Sequence, residues 1–107
     1  MNQATILARL EVLIAQRRMG DPATSYVAKL HAQGIAKIAQ KVGEEATEVV
    51  IEALTGTPEE LICEAADLVF HLLLLLGAKG VTMADVLSEL ERREGTSGIS
   101  EKASRGA

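Results

Sequence analysis

Five acidic residues stand out by type and spacing: Glu44, Glu45 and Glu48, then Glu64 and Asp67 after an intervening stretch. The pattern is E-E-x-x-E followed by E-x-x-D. Successive helical residues advance by about 100°, so with Glu48 taken as zero Glu44 falls at about −40° and Glu45 at about +60°. These three share one helix face, and Glu64 and Asp67, three apart, share a face of the next helix. A tight turn between the two segments would lay them antiparallel and let both acidic groups meet. An all-oxygen cluster without cysteine or histidine is hard-cation chemistry. It suits Mg2+, with Mn2+ able to substitute. A di-iron centre would need Glu-x-x-His on two helices, whereas Glu64 is followed by Asp67 and Glu45 by Glu48.

The plain alternative is a solvated acidic stripe. Two details oppose it. Glu44, Glu48 and Glu52 recur at one-turn spacing, and like charges so placed repel by a few tenths of a kcal/mol per pair. Glu64 and Asp67 also lead directly into an apolar run, where an unpaired charge is very costly.

Lys37 and Lys41 fall at about −20° and +20° on the same angular scale, just ahead of the carboxylates. Ammonium groups there could hold the oxygens of a polyphosphate. The competing reading is a set of helix-surface salt bridges to Glu44 or Glu45, worth only ~0.3–0.5 kcal/mol each. Spacing leaves the two level. His71 lies one turn beyond Asp67. It reads first as a hydrogen-bonded core histidine and second as a support for a ligand carboxylate. No Ser-His-Asp order, glycine-rich phosphate loop or dinucleotide fingerprint is present.

The elements that must position these residues are helical. Ile6, Leu7, Leu10, Leu13 and Ile14 trace an amphipathic helix, stopped near Gly20-Asp21-Pro22. Residues 25–32 predict a short helix closed by Gly34. Ile35, Ile38, Val42, Ala46, Val49, Val50 and Ala53 trace a long helix that ends at Thr55-Gly56. Gly43 sits inside it at a cost of ~1 kcal/mol relative to alanine. Thr57, Pro58 and Glu60 form a capping signature for a helix over Pro58–Ala78, with Gly80 past its end. The second half of that helix is apolar almost all round, the mark of an element buried on every side. A chain of 107 residues can hardly surround such a helix, which predicts a homodimer. Thr82 caps a last helix carrying Val86, Leu87 and Leu90. Residues 1–93 thus read as one helical domain, and residues 94–107 as a disordered polar tail.

Composition agrees. Hydrophobic residues make up 48% and aromatic residues only 2%, so the core rests on Leu, Ile, Val and Ala, which favours all-α packing. A net charge of −4 argues against a nucleic-acid partner. The single cysteine, Cys63, excludes an internal disulfide and a cysteine-based zinc site. Arg9, Glu11 and Arg17 interrupt the first apolar stretch, unlike a signal peptide. The longest uncharged apolar run, residues 68–78, is about half the ~20 residues of a membrane span. A cytoplasmic protein with no membrane partner is expected.

Three segments together resemble the phosphoribosyl-ATP pyrophosphatase family: Ser25-Tyr26-Val27-Ala28-Lys29-Leu30, Lys37-Ile38-Ala39-Gln40-Lys41-Val42-Gly43-Glu44-Glu45-Ala46-Thr47-Glu48, and Glu64-Ala65-Ala66-Asp67-Leu68-Val69-Phe70-His71-Leu72-Leu73. The resemblance spans residues 6–93. The acidic motif alone marks the wider MazG-like superfamily of all-α nucleotide pyrophosphohydrolases. The S-Y-x-x-K-L segment and the K-x-G-E-E-x-x-E context point to the phosphoribosyl-ATP branch. The resemblance implies a dimeric helical bundle that hydrolyses phosphoribosyl-ATP to phosphoribosyl-AMP and pyrophosphate with Mg2+, the second step of histidine biosynthesis. It implies Mg2+ ligation by Glu45, Glu48, Glu64 and Asp67, with Glu44 as a further ligand or as base for the attacking water. Of these, Glu44, Glu45 and Glu48 form the catalytic group. Lys29, Lys37 and Lys41 would contact phosphates, and Ser25 and Tyr26 would hold the nucleotide. The nearest alternative is a MazG-like enzyme acting on ordinary nucleoside triphosphates. A non-catalytic helical dimerisation module is the alternative of another class, and it gives no reason to concentrate acids ahead of an apolar helix.

Overall fold

The structure, a computed structural model, describes residues 5–106. Six α-helices and no strands occur among them, so the fold is all-α as the sequence indicates. The helices are α1 (Thr5–Arg17), α2 (Tyr26–Gln33), α3 (Ile35–Thr55), α4 (Pro58–Ala78), α5 (Met83–Arg93) and α6 (Gly98–Ser104).

Their ends follow from short polar side chains and one glycine hinge. Ser25 Oγ accepts a hydrogen bond from the Ala28 amide at 3.2 Å and starts α2. Gly34, at φ 97°, closes α2 and opens α3. That left-handed backbone strains any residue with a side chain, so the two helices diverge there without a linker. Thr57 accepts from the Glu60 amide and Pro58 follows at the first helical position, which starts α4. At α5, Thr82 and Asp85 bond each other's backbone amides in a capping box. Hydrogen bonds to the Asp85 carboxyl, from the Thr82 backbone first and its side chain second, hold it below its usual range.

The framework is the α3–α4 pair. Each helix has 21 residues, a length of about 30 Å, and only Gly56 and Thr57 join them. They pack extensively along one another. The core gathers at the end of this hairpin away from the turn. Ile14 of α1, Val27 and Leu30 of α2, Ile38 of α3 and Leu73 and Leu74 of α4 are buried there, with Met83 at the start of α5. Toward the turn the hairpin is bare: Leu54 is 80% and Ile62 68% exposed. By length and composition alone α4 could cross a membrane, but it carries Glu64 and Asp67 and packs against α3 and α1. Its apolar half is covered only in part within one chain. The radius of gyration, 15.9 Å, exceeds the ~13 Å of a compact domain of this size.

The C-terminal segment differs from expectation. Residues 94–107 lack an apolar period and read as a disordered tail, yet Gly98–Ser104 forms α6. Charge holds it instead. The buried carboxylate of Glu101 accepts from Arg92 Nη2 at 2.6 Å and lies 3.2 Å from Arg105 Nε and 3.7 Å from Arg93 Nε. Residues 1–4 of the helical segment and Ala107 of the tail lie outside the described residues.

Candidate active site

The hairpin brings together acids that are far apart in sequence. One carboxylate oxygen each from Glu45, Glu64 and Asp67 lies within 4.8 Å of the others. Glu45 and Glu64 are half-buried, while Asp67 faces solvent. Two helices thus supply the three groups, as the helical spacing required. Partial desolvation, then the charges of Asp67, Glu45, Glu48 and Glu52, hold the Glu64 carboxyl above its usual range. Glu48 is exposed and stands outside this mutually close set, though its charge reaches Glu64. Glu44 is also exposed.

Hard oxygen donors clustered at this separation fit a small divalent cation. The ammonium nearest to them, Lys41 Nζ, lies 3.6 Å from an oxygen of Glu45 and 3.6 Å from one of Glu44. The salt bridges that the spacing allowed therefore form at Lys41. Burial alone would lower the Lys41 pKa, but Tyr26 and the two glutamates outweigh it and hold the group above its ordinary value. The site therefore keeps a permanent positive charge beside its acids.

Lys41 is also one wall of an open groove of about 390 Å³, lined by Tyr26, Lys29, Gln33, Lys37 and Glu44 among others. Lys29, Lys37 and Lys41, for which the resemblance implied phosphate contacts, thus border one space together with Glu44. Tyr26 separates this groove from a second cavity of about 530 Å³. Gln16, Arg17, Thr24, Ser25 and Phe70 line that second space. The resemblance implied a nucleotide-holding role for Ser25 and Tyr26, while nothing in the sequence pointed to Gln16, Arg17, Thr24 and Phe70 as bordering the same space. These lie on the end of α1, the following loop and α4, and no periodicity links them.

Tyr26 is held from behind. Its hydroxyl lies 2.6 Å from His71 Nε2, and His71 Nδ1 lies 2.7 Å from the Asp67 carbonyl. His71 is therefore a satisfied buried histidine, the first of its two readings, and it meets the backbone of Asp67. Burial, opposed by Lys41, and the carboxylates of Glu45, Asp67 and Glu44 push the Tyr26 phenol up.

Residues 7–94 match the family described as Phosphoribosyl-ATP pyrophosphohydrolase. A phosphoribosyl-ATP pyrophosphatase of Novosphingobium aromaticivorans is 69% identical over 98% of this chain and 98% of its own length. Those of Erythrobacter litoralis and Dinoroseobacter shibae are 64% and 57% identical, each over 94% of this chain and over 96% and 99% of their own lengths.

Proposed function

Because the chain belongs to the phosphoribosyl-ATP pyrophosphohydrolase family, we propose that it hydrolyses phosphoribosyl-ATP to phosphoribosyl-AMP and pyrophosphate. The reaction is the second step of histidine biosynthesis, and it cleaves between the α and β phosphates. The convergence of Glu45, Glu64 and Asp67 across α3 and α4 carries this reading. These three residues would hold Mg2+, joined by Glu48 from the same face of α3. When bound, the ion neutralises charge on the phosphate oxygens and on the departing pyrophosphate.

The chain's own residues do the rest. Lys29, Lys37 and Lys41 bind the polyphosphate along their groove and fix its direction relative to the acids. Ser25 and Tyr26 hold the remainder of the nucleotide. The Glu44 carboxylate, exposed at the mouth of the site, orients the attacking water and accepts its proton. The substrate is a soluble nucleotide, so the cytoplasm is its place of action. Two chains pair through the bare part of the α3–α4 hairpin, where Val50, Leu54 and Ile62 are exposed.

The test is pyrophosphate release from phosphoribosyl-ATP and from a panel of deoxynucleoside triphosphates, with and without Mg2+. Phosphoribosyl-ATP should be cleaved far faster than any other nucleotide, and only with the metal. Equal or faster cleavage of ordinary triphosphates would move the chain to the broader housekeeping activity.

A further inference from the structure

We propose that His71 is a positioning residue: it accepts the one hydrogen bond that the Tyr26 hydroxyl can donate and so presents the phenol oxygen to the lysine groove as a hydrogen-bond acceptor. For the neutral imidazole, two contacts fix the direction of the hydrogen bonds. A backbone carbonyl can only accept, so at 2.7 Å from the Asp67 oxygen His71 Nδ1 must carry a proton. A neutral imidazole has one N–H, which leaves Nε2 a bare acceptor. Tyr26 Oη, 2.6 Å from Nε2, must then donate. A phenol has one proton to give, so the rest of its oxygen surface can only receive.

The arrangement is built, not incidental. His71 is only 6% exposed. Its ring meets those of Tyr26 and Phe70 edge-on, with centroids 5.6 and 5.7 Å away. It is anchored one turn back along its own helix, so the imidazole cannot turn over without losing the Asp67 bond. Tyr26, by contrast, is 45% exposed and borders both cavities. A buried group therefore orients an accessible one.

The consequence concerns what Tyr26 can recognise. An acceptor beside a polyphosphate repels its oxygens, so Tyr26 does not grip phosphate. It suits a cationic donor, and Lys41 shares the groove with it. Glu44 and Glu45 each lie 3.6 Å from Lys41 Nζ, and the Tyr26 oxygen is a further acceptor on the same groove, available to that ammonium when it swings toward a ligand. His71 acts on phosphate binding through Tyr26 and Lys41. This deepens the pyrophosphohydrolase reading and rests on it for its kinetic arm alone.

The first arm needs no turnover. Nitrogen NMR of the histidine-labelled full chain, without metal or nucleotide and at pH 8, should show His71 protonated at Nδ1 and bare at Nε2. The Nε2 resonance should move in Tyr26→Phe, which removes the donor. A proton on Nε2 would overturn the proposal. The second arm is a cycle of Tyr26→Phe, His71→Phe and the double variant with phosphoribosyl-ATP. Loss of one such contact should lower kcat/KM by roughly tenfold in each single variant. The double variant should be no worse than Tyr26→Phe, and His71→Gln, which keeps an acceptor, should recover part of the loss. Losses that multiply in the double variant would overturn the proposal, because a merely structural histidine acts independently of the tyrosine hydroxyl. Should His71→Phe fail to fold, His71→Gln and the NMR arm still decide. A wild-type chain that releases no pyrophosphate overturns the substrate reading, whereas a wrong tautomer overturns this one.

Discussion

Glu64 illustrates how single side chains govern this site. Its carboxyl is held above the ordinary value of 4.5 by partial desolvation and by four acidic neighbours. Between 4.5 and the raised value the folded chain binds the proton more tightly than the unfolded chain. The contribution of Glu64 to metal-free stability is therefore greatest below the ordinary value and is lost as pH rises through the raised one. Urea midpoints without Mg2+ should show wild type losing more stability, or gaining less, than Glu64→Gln between pH 4 and pH 7. Glu45→Gln or Asp67→Asn should lower turnover at least about a hundredfold. Their helical circular dichroism should stay unchanged, and their Mg2+-dependent rise in melting temperature should vanish. Wild-type rates in either variant would refute the metal assignment. Helical arithmetic was enough to foresee that Glu45, Glu64 and Asp67 converge, because all three ride on long regular helices. It could not foresee that Tyr26 meets His71, since the two are 45 positions apart and only tertiary packing joins them.

At the scale of elements, caps and hinges mark the boundaries. Thr57 both accepts from the Glu60 amide and donates to its carboxylate at 3.1 Å, so Thr57→Ala should cost about 1 kcal/mol in chemical denaturation. Gly43 is different. A methyl group there would meet nothing within 4 Å, so Gly43→Ala should stabilise the chain by about 0.5–1 kcal/mol. A loss of activity in that stabilised variant would show that a ligand or a second subunit approaches α3 at this point. Turn residues such as Ser25, Gly34, Thr57 and Thr82 made most boundaries readable in advance. The short α6 was not readable, because ion pairs hold it and its seven residues carry no apolar stripe. Those pairs also predict a pH response. Hydrogen bonds from Arg92 and Arg93 lower Glu89 to about 2. The depressed value means that its contribution is complete above the ordinary carboxylate range and is lost as pH falls through about 2. An NMR titration of the Glu89 side chain should record that low midpoint, and Arg93→Gln should raise it.

For the molecule as a whole, the uneven distribution of cover is the main fact. The core occupies one end of the α3–α4 hairpin, and Leu54 and Ile62 lie open toward the other. If pairing buries this end, Leu54→Glu should shift the chain to a smaller species in size-exclusion chromatography. The wild-type melting temperature should also rise with protein concentration. An unchanged elution volume in Leu54→Glu would place the subunit contact elsewhere. The apolar run of α4 called for cover over its second half, where Leu73 and Leu74 join the core; it gave no sign of the bare patch at Leu54 and Ile62 nearer the turn, which only the packing of α1, α2 and α5 leaves open. A last consequence follows from Glu11, whose Oε2 accepts from the Met83 amide at 2.8 Å. A carboxylate at the start of α5 also favours that helix electrostatically. The group that closes the start of α5 is thus supplied from 72 positions upstream, in a segment that leaves the ribosome long before its target exists. During synthesis α1 must wait, and α5 gains this support only once residue 83 has emerged and folded back onto it.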